Sequence, residues 1–177
     1  MTNSASHTIQ IVQGIEIEPH IEALASLRIE IFREFPYLYD GSIKYERNYL
    51  KTYTNSPESI AVLVFDGDQM VGASTGLPMT DETDEFKAPF LHSGHRPDRI
   101  FYCGESILKQ QYRGRGIYSI FMKEREDHAK GLDQYDMICF CGVVRPDNHP
   151  YRPANYKPLD PVWTYFGYQK RLCFQAN

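Results

Sequence analysis

Residues 111–118 read QYRGRGIY. Arg113 and Arg115 alternate with Gly114 and Gly116, between an apolar segment, IFYCGESIL, and an amphipathic one, SIFMKEREDHAK. A strand that ends here and a helix that opens here would leave the first helical N–H groups unpaired at the positive end of the helix dipole, where anions gather. Glycines without a Cβ let an anion approach the backbone, and guanidinium forks suit phosphate oxygens. The chemistry expected is therefore capture of a phosphorylated ligand, with a pyrophosphate as a fitting group. On composition alone a solvated Gly-rich turn is the competing reading. The stretch is not a Walker A loop, because no GK[ST] follows. Nor is it a GxGxxG fingerprint, because Gly116 is followed by Ile117-Tyr118-Ser119. A second candidate precedes it. Glu105 is the one acid in IFYCGESILK, a run in which a carboxylate is expensive to bury unpaired. Buried acids of this kind serve proton transfer, or they bind an arginine or a strand end.

The elements that must position these residues follow from periodicity. HTIQIVQG (7–14) alternates and predicts a first strand. EPHIEALASLRIEIFREF (18–35) spaces its apolar residues for an amphipathic helix that Pro36 ends. YERNYLKTYT (45–54) predicts a shorter helix. Residues 59–79 form a hairpin around Asp66-Gly67-Asp68. The acidic segment 81–99 reads as irregular with about one helical turn. A buried strand is expected over 100–109, a helix over 116–131, another buried strand over 135–144, and a Pro- and Asn-rich loop over 145–157. A short helix opens at Asp160-Pro161 and stops at Gly167, and a last strand covers 168–175. Within 116–131, Lys123 to Asp127 read as a solvated face. This order, with a βαβ crossover in its second half, predicts an α/β or α+β domain with a partly parallel sheet.

Bulk properties bound the function. A chain of 177 residues is most simply a single domain with a real core. A net charge of −4 argues against a nucleic-acid partner. No apolar stretch is long enough for a membrane span, and the N-terminus lacks the pattern of a signal peptide. The four cysteines form no CxxC pair and are expected as free thiols in a cytoplasmic protein. His92 and His95 lack acidic or cysteine neighbours, so no metal site is expected.

The stretch 111–118 resembles the acyl-CoA-binding motif of the GCN5-related N-acetyltransferases, R/Q-x-x-G-x-G/A at the junction of the fourth strand and the next helix. Gln111 to Gly116 satisfies the pattern literally. Arg113-Gly114-Arg115-Gly116-Ile117-Tyr118 fits the commoner YRGxGI wording, with Tyr118 in place of the last small residue. This second register is preferred because it keeps Leu108 where the family has the last apolar residue of the strand. Phe166-Gly167-Tyr168 looks like the family's GF turn, and YKPLDPVWTYFGY like a variant of its last helix. The resemblance covers 99–176, the acyl-CoA-binding half of a single domain over 1–177. Acceptor-binding elements are implied over about 18–58.

The resemblance implies a single-domain mixed α/β fold. Its N-terminal sheet would be mostly antiparallel, and a central parallel pair, 100–109 and 135–144, would splay around pantetheine. It implies acetyl-CoA as acyl-donor cosubstrate, no metal, direct transfer to a primary amine of a small molecule, and a homodimer in keeping with many members. By the same resemblance Ile107, the Leu108 amide, Arg113, Gly114, Arg115, Gly116, Ile117 and Tyr118 hold the donor, and Asn148 bonds pantetheine. Glu105 would be the base, directly or through water. The family's tyrosine acid falls at Trp163, an indole that cannot act so, which leaves Tyr156 and Tyr165 as candidate proton donors. Tyr37 and Tyr39 would line the acceptor site. The alternative is a non-catalytic CoA- or nucleotide-binding module of the same fold.

Overall fold

The computed structural model describes residues 7–172, 174 and 175. Strand β1 (His7–Gln13) leads through a 3-10 turn (Gly14–His20) into α1 (Ile21–Phe32). Helix α2 (Ile43–Thr54) precedes the hairpin of β2 (Ile60–Asp66) and β3 (Gln69–Pro78). Then come α3 (Asp84–His92), β4 (Ile100–Leu108), α4 (Ile117–Gly131), β5 (Met137–Cys139) and α5 (Asp160–Tyr165). The five strands lie in sequence order. β1 to β4 are antiparallel, and β4 and β5 are parallel. This is a mixed α/β fold.

The sheet separates two apolar layers. Leu24, Leu27 and Ile31 of α1 and Leu50 and Tyr53 of α2 pack on Leu63, Ala73, Leu77 and Ile107. Ile117, Phe121 and Ala129 of α4 pack on Val62, Val64, Val71, Phe101 and Leu108 from the opposite face. Alternation along β2 to β4 sends successive residues to opposite helical layers, so both faces are covered.

Several boundaries differ from the sequence reading. The helix expected over 18–35 is α-helical only over Ile21–Phe32, and Pro19 sits inside the preceding 3-10 turn. Helix α2 starts two residues earlier than expected, where the Ser42 hydroxyl caps it by accepting from the Tyr45 N–H (3.2 Å). The segment 81–99 contains a nine-residue helix, α3, where about one turn was expected.

The strand expected over 135–144 shrinks to three residues. β5 pairs with β4 only at Ile100↔Met137, Phe101↔Ile138 and Tyr102↔Cys139. Beyond these the chain leaves the sheet, and Gly142 passes against the Trp163 ring so closely that a Cβ there would lie 2.9 Å from it. The strand expected over 168–175 is absent among the described residues, and Cys173 lies outside them. Phe174 instead stacks on Phe90 with ring centroids 4.6 Å apart. The parallel pair is thus at the sheet's edge among the described residues.

Arg125 corrects the reading of Lys123 to Asp127 as a solvated face. It is only 2% exposed. Its Nη1 donates to the carbonyls of Thr75 (3.3 Å) and Glu105 (3.2 Å), and its Nε to the Phe121 carbonyl (3.2 Å). Removing it strands buried carbonyls, so Arg125→Leu is expected to cost about 2 kcal/mol. Thermal unfolding reads this as a lower midpoint, and an unmoved midpoint would show that those carbonyls find other donors.

Candidate active site

The site is built around an irregularity in β4. Ser74 pairs with Ser106 and Gly76 with Cys103, so Gly104 and Glu105 together oppose the single residue Thr75. This is a β-bulge, and it re-aims side chains that strict alternation would send to opposite faces. Gly104 and Glu105 both face the α1/α2 layer. A Cβ on Gly104 would collide with the Tyr53 hydroxyl, so glycine is required there.

Glu105 is 4% exposed and meets Arg28 of α1. Arg28 Nη1 donates to Glu105 Oε2, while its Nε donates to Glu46 Oε2 of α2 (2.5 Å). The guanidinium is sandwiched by the rings of Phe32 (4.9 Å) and Tyr49 (4.8 Å). Burial opposes the charge on Arg28, but the nearby Glu105 and Glu46 carboxylates outweigh it and raise its pKa. Glu46 Oε1 and Glu105 Oε1 are buried without a hydrogen-bond partner. Close by, the Tyr49 hydroxyl donates to Glu82 Oε1 (2.9 Å), and burial pushes the Glu82 carboxyl up against that bond. One guanidinium thus faces two carboxylates, each with an oxygen free to accept. Such a floor suits a proton or an ammonium group.

Tyr37 and Tyr39 follow in the segment after α1. Tyr37 packs on Phe32 (4.5 Å). Burial raises its pKa first, and Glu105, Tyr118 and Tyr156 lie near enough to add to the rise while Arg28 opposes it. Its backbone is clipped from the opposite half of the chain: Arg145 Nε donates to the Pro36 carbonyl and Nη2 to the Tyr37 carbonyl, both at 2.8 Å. Burial and the Glu46 carboxylate push the Tyr39 phenol up to about 12.

One edge of β4 is left open where β5 has departed from it. The Lys109 N–H donates to the Val71 carbonyl (2.9 Å), and Ala73 stands opposite Ile107. In an antiparallel ladder Ile107 is then the next residue bonded to β3, and the amides of Ser106 and Leu108 turn to the other edge. That edge has no β5 partner beyond Tyr102. The Leu108 amide therefore opens onto the gap. The side chains of Ile107 and Leu108 are buried, in the first and second apolar layers respectively.

Beyond Leu108 a 3-10 turn leads to Arg113–Gly116 and α4. Gly114 (φ 77°) and Gly116 (φ 80°) both adopt left-handed backbone, and nothing lies within 4 Å of where a Cβ would be. Arg113 is engaged: its Nε donates to the Leu108 carbonyl (3.0 Å) and its Nη2 to Glu34 (3.1 Å). Arg115 lies over the Tyr112 ring (5.2 Å) and has no acidic partner among the described residues. Ile117 is 1% exposed and packs in the core, so its side chain is not part of the cradle. Asn148 is exposed in a turn after β5.

Of the two candidate proton donors, Tyr165 is 84% exposed and stands in solvent. Tyr156 packs edge-on against Phe35 (4.7 Å) with Arg152 over its ring (5.0 Å).

No protein-family model matches the sequence, and no curated protein matches it significantly. Solved structures do match. The aminoglycoside N-acetyltransferase AAC(6')-Iy in complex with CoA is 10% identical, with a TM-score of 0.58 over 100% of this chain and 98% of that one. An aminoglycoside acetyltransferase from an uncultured soil metagenomic sample is 13% identical, with a TM-score of 0.57 over 94% of each chain. The chain has the GCN5-related N-acetyltransferase fold. An integron cassette protein from the mobile metagenome of V. cholerae is similar to it as well, at 17% identity and a TM-score of 0.58 over 94% of this chain and 88% of that one. In terms of this fold, the bulge at Gly104-Glu105 and the unpaired end of β4 lie on the strand that leads into the glycine-rich start of α4. Among the described residues no group of three or more His, Cys, Asp or Glu side chains could hold a metal, and no helix is long and apolar enough to cross a membrane.

Proposed function

We propose that the chain is an acetyl-CoA-dependent N-acetyltransferase that passes the acetyl group directly to a primary amine of a small molecule. One observation carries this reading: β5 leaves β4 after Cys139, so the strand that carries the buried Glu105 has an open edge at the Leu108 amide before it leads into the glycine-rich start of α4. The Leu108 N–H would meet the negative charge that develops on the thioester oxygen. Arg115, with the open backbone at Gly114 and Gly116, would hold the pyrophosphate. Glu105 would take the proton that the attacking amine must lose, directly or through water. The surplus of carboxylate over guanidinium beneath Tyr37 and Tyr39 favours a cationic amine. Related folds bind such molecules: AAC(6')-Iy has been solved with a bisubstrate analogue, and a soil metagenomic acetyltransferase with sisomicin.

Calorimetric titration with acetyl-CoA tests the reading. Binding near micromolar, about −8 kcal/mol, is expected. Arg115→Ala should weaken it about tenfold, the worth of one charge-assisted hydrogen bond. Arg113→Ala should weaken it less, because that guanidinium is already held by Glu34 and the Leu108 carbonyl. An absence of binding heat at two temperatures would end the acetyltransferase reading. Binding without thiol release across a panel of amines would point to the non-catalytic module instead.

A further inference from the structure

β1 is the long free edge of the sheet. Its seven residues, HTIQIVQ, pair with β2 without a register shift, and among the described residues no strand pairs with its other side. Natural edges are protected by lysine, proline, a bulge or short length. The opposite edge strand, β5, is three residues long. β1 has none of these protections. The ladder fixes which of its groups point outward. The Gly14 N–H donates to the Ser59 carbonyl (3.3 Å), one step beyond the Gln13↔Ile60 pair. Alternation then bonds Val12, Gln10 and Thr8 to β2 and turns the N–H and C=O of His7, Ile9, Ile11 and Gln13 to the outer side. The Gln13 N–H is taken there by Glu16 Oε2 (3.2 Å). Ile9 and Ile11 carry outward donors and acceptors at the middle of the edge. Their side chains stand opposite Val64 and Val62, on the α4 side of the sheet, and are 36% and 44% exposed.

We propose that β1 is the surface through which two copies of this chain pair, antiparallel about a two-fold axis through Gln10, to form one continuous sheet. Gln10 is the middle residue of β1, so this register overlaps the whole strand. It sets Ile9 opposite Ile11 of the second copy, and each such pair can exchange both backbone hydrogen bonds. A two-fold axis normal to the sheet keeps each face on its own side. The isoleucines of both copies therefore join in one apolar strip on the α4 side, continuous with Val62 and Val64. The ends are complementary in charge. His7 of one copy arrives opposite Gln13 of the other, where the Glu16 carboxylate marks the outer edge. β1 itself carries no carboxylate or ammonium group to oppose the approach. The proposal is independent of the acetyltransferase reading, since it uses neither Glu105 nor the start of α4.

Analytical sedimentation of the full chain, wild type against Ile11→Pro, tests the interface. Wild type is expected at twice the mass of one chain in the micromolar range. Proline at 11 removes an outward N–H that β2 does not use, so the circular dichroism should be kept. Each copy loses one intermolecular hydrogen bond, and dimerisation should weaken at least about tenfold. A wild type that sediments as one chain, or an Ile11→Pro that dimerises as well as wild type, overturns the proposal. Should Ile11→Pro not fold, Gln10→Cys reads the register directly. Residue 10 then faces its own copy across the axis in a non-hydrogen-bonded pair, where side chains come closest. Oxidation should link two chains above the level that the native cysteines give, whereas Thr8→Cys, opposite Val12 of the second copy, should link far less. Equal linking in the two variants, or none in Gln10→Cys, overturns the interface.

Discussion

Arg28→Met is expected to destabilise the protein by about 3–5 kcal/mol, a large share of the roughly 5–15 kcal/mol that holds a domain folded. Among the described residues Arg28 is the one cation in contact with Glu46 and Glu105, which are 0% and 4% exposed. Methionine fills much of the space between Phe32 and Tyr49 but leaves both carboxylates buried without a counter-charge. The penalty arises from stranding the partners, since breaking a buried pair costs far more than the pair contributes when intact. A double variant, Arg28→Met with Glu46→Gln, should therefore be more stable than Arg28→Met alone, because it removes one stranded charge. Urea unfolding measures both. A loss below about 1 kcal/mol for the single variant, the level of an exposed pair, would show that the carboxylates reach water or other donors.

The same triad shows what could be read beforehand and what could not. Leu24, Leu27, Arg28 and Ile31 share one helical face in α1, and Glu46, Leu50 and Tyr53 share one in α2. A charge on an apolar stripe signals a buried partner, so each residue was legible singly. Their meeting was not, because the contact between Arg28 and Glu105 spans 77 positions and depends on the bulge at Gly104. Arg125 is a parallel case: it lies four residues from both Phe121 and Ala129, on the buried face of α4, inside a run whose charges otherwise suggest solvent. The glycine-rich start of α4 was legible because glycine and arginine at alternate positions serve a local need of the backbone. The lengths of the strands after α4 were not. The apolar run 135–144 suits a strand, but tertiary structure overrides it: the second half leaves the sheet, where Gly142 passes close against the Trp163 ring. That override opens the gap on which the proposed chemistry depends.

Glu105→Gln is expected to lower turnover about 10³-fold while leaving CoA affinity within about twofold. Glutamine keeps the shape and can still accept from Arg28 through its amide oxygen, but it cannot take a proton. The Glu105 oxygen that matters is Oε1, which is buried and has no partner, and the carboxylate is within electrostatic reach of Tyr37. Because Oε2 is held by Arg28, the free oxygen is fixed in direction, as a base needs to be. A fall in turnover alone would not separate a base from a strut for Arg28. The pH profile does. If Glu105 accepts the amine proton, the acid limb of kcat/KM reports its ionisation and should vanish in Glu105→Gln. A reduced rate with the acid limb intact would mean that another group takes the proton, and that Glu105 serves to aim Arg28. Glu46→Gln supplies the contrast, since Glu46 grips the same guanidinium from α2 but is not part of the β4 bulge. It should weaken the fold through Arg28 and retain the acid limb, which would place the proton chemistry at the bulge in β4.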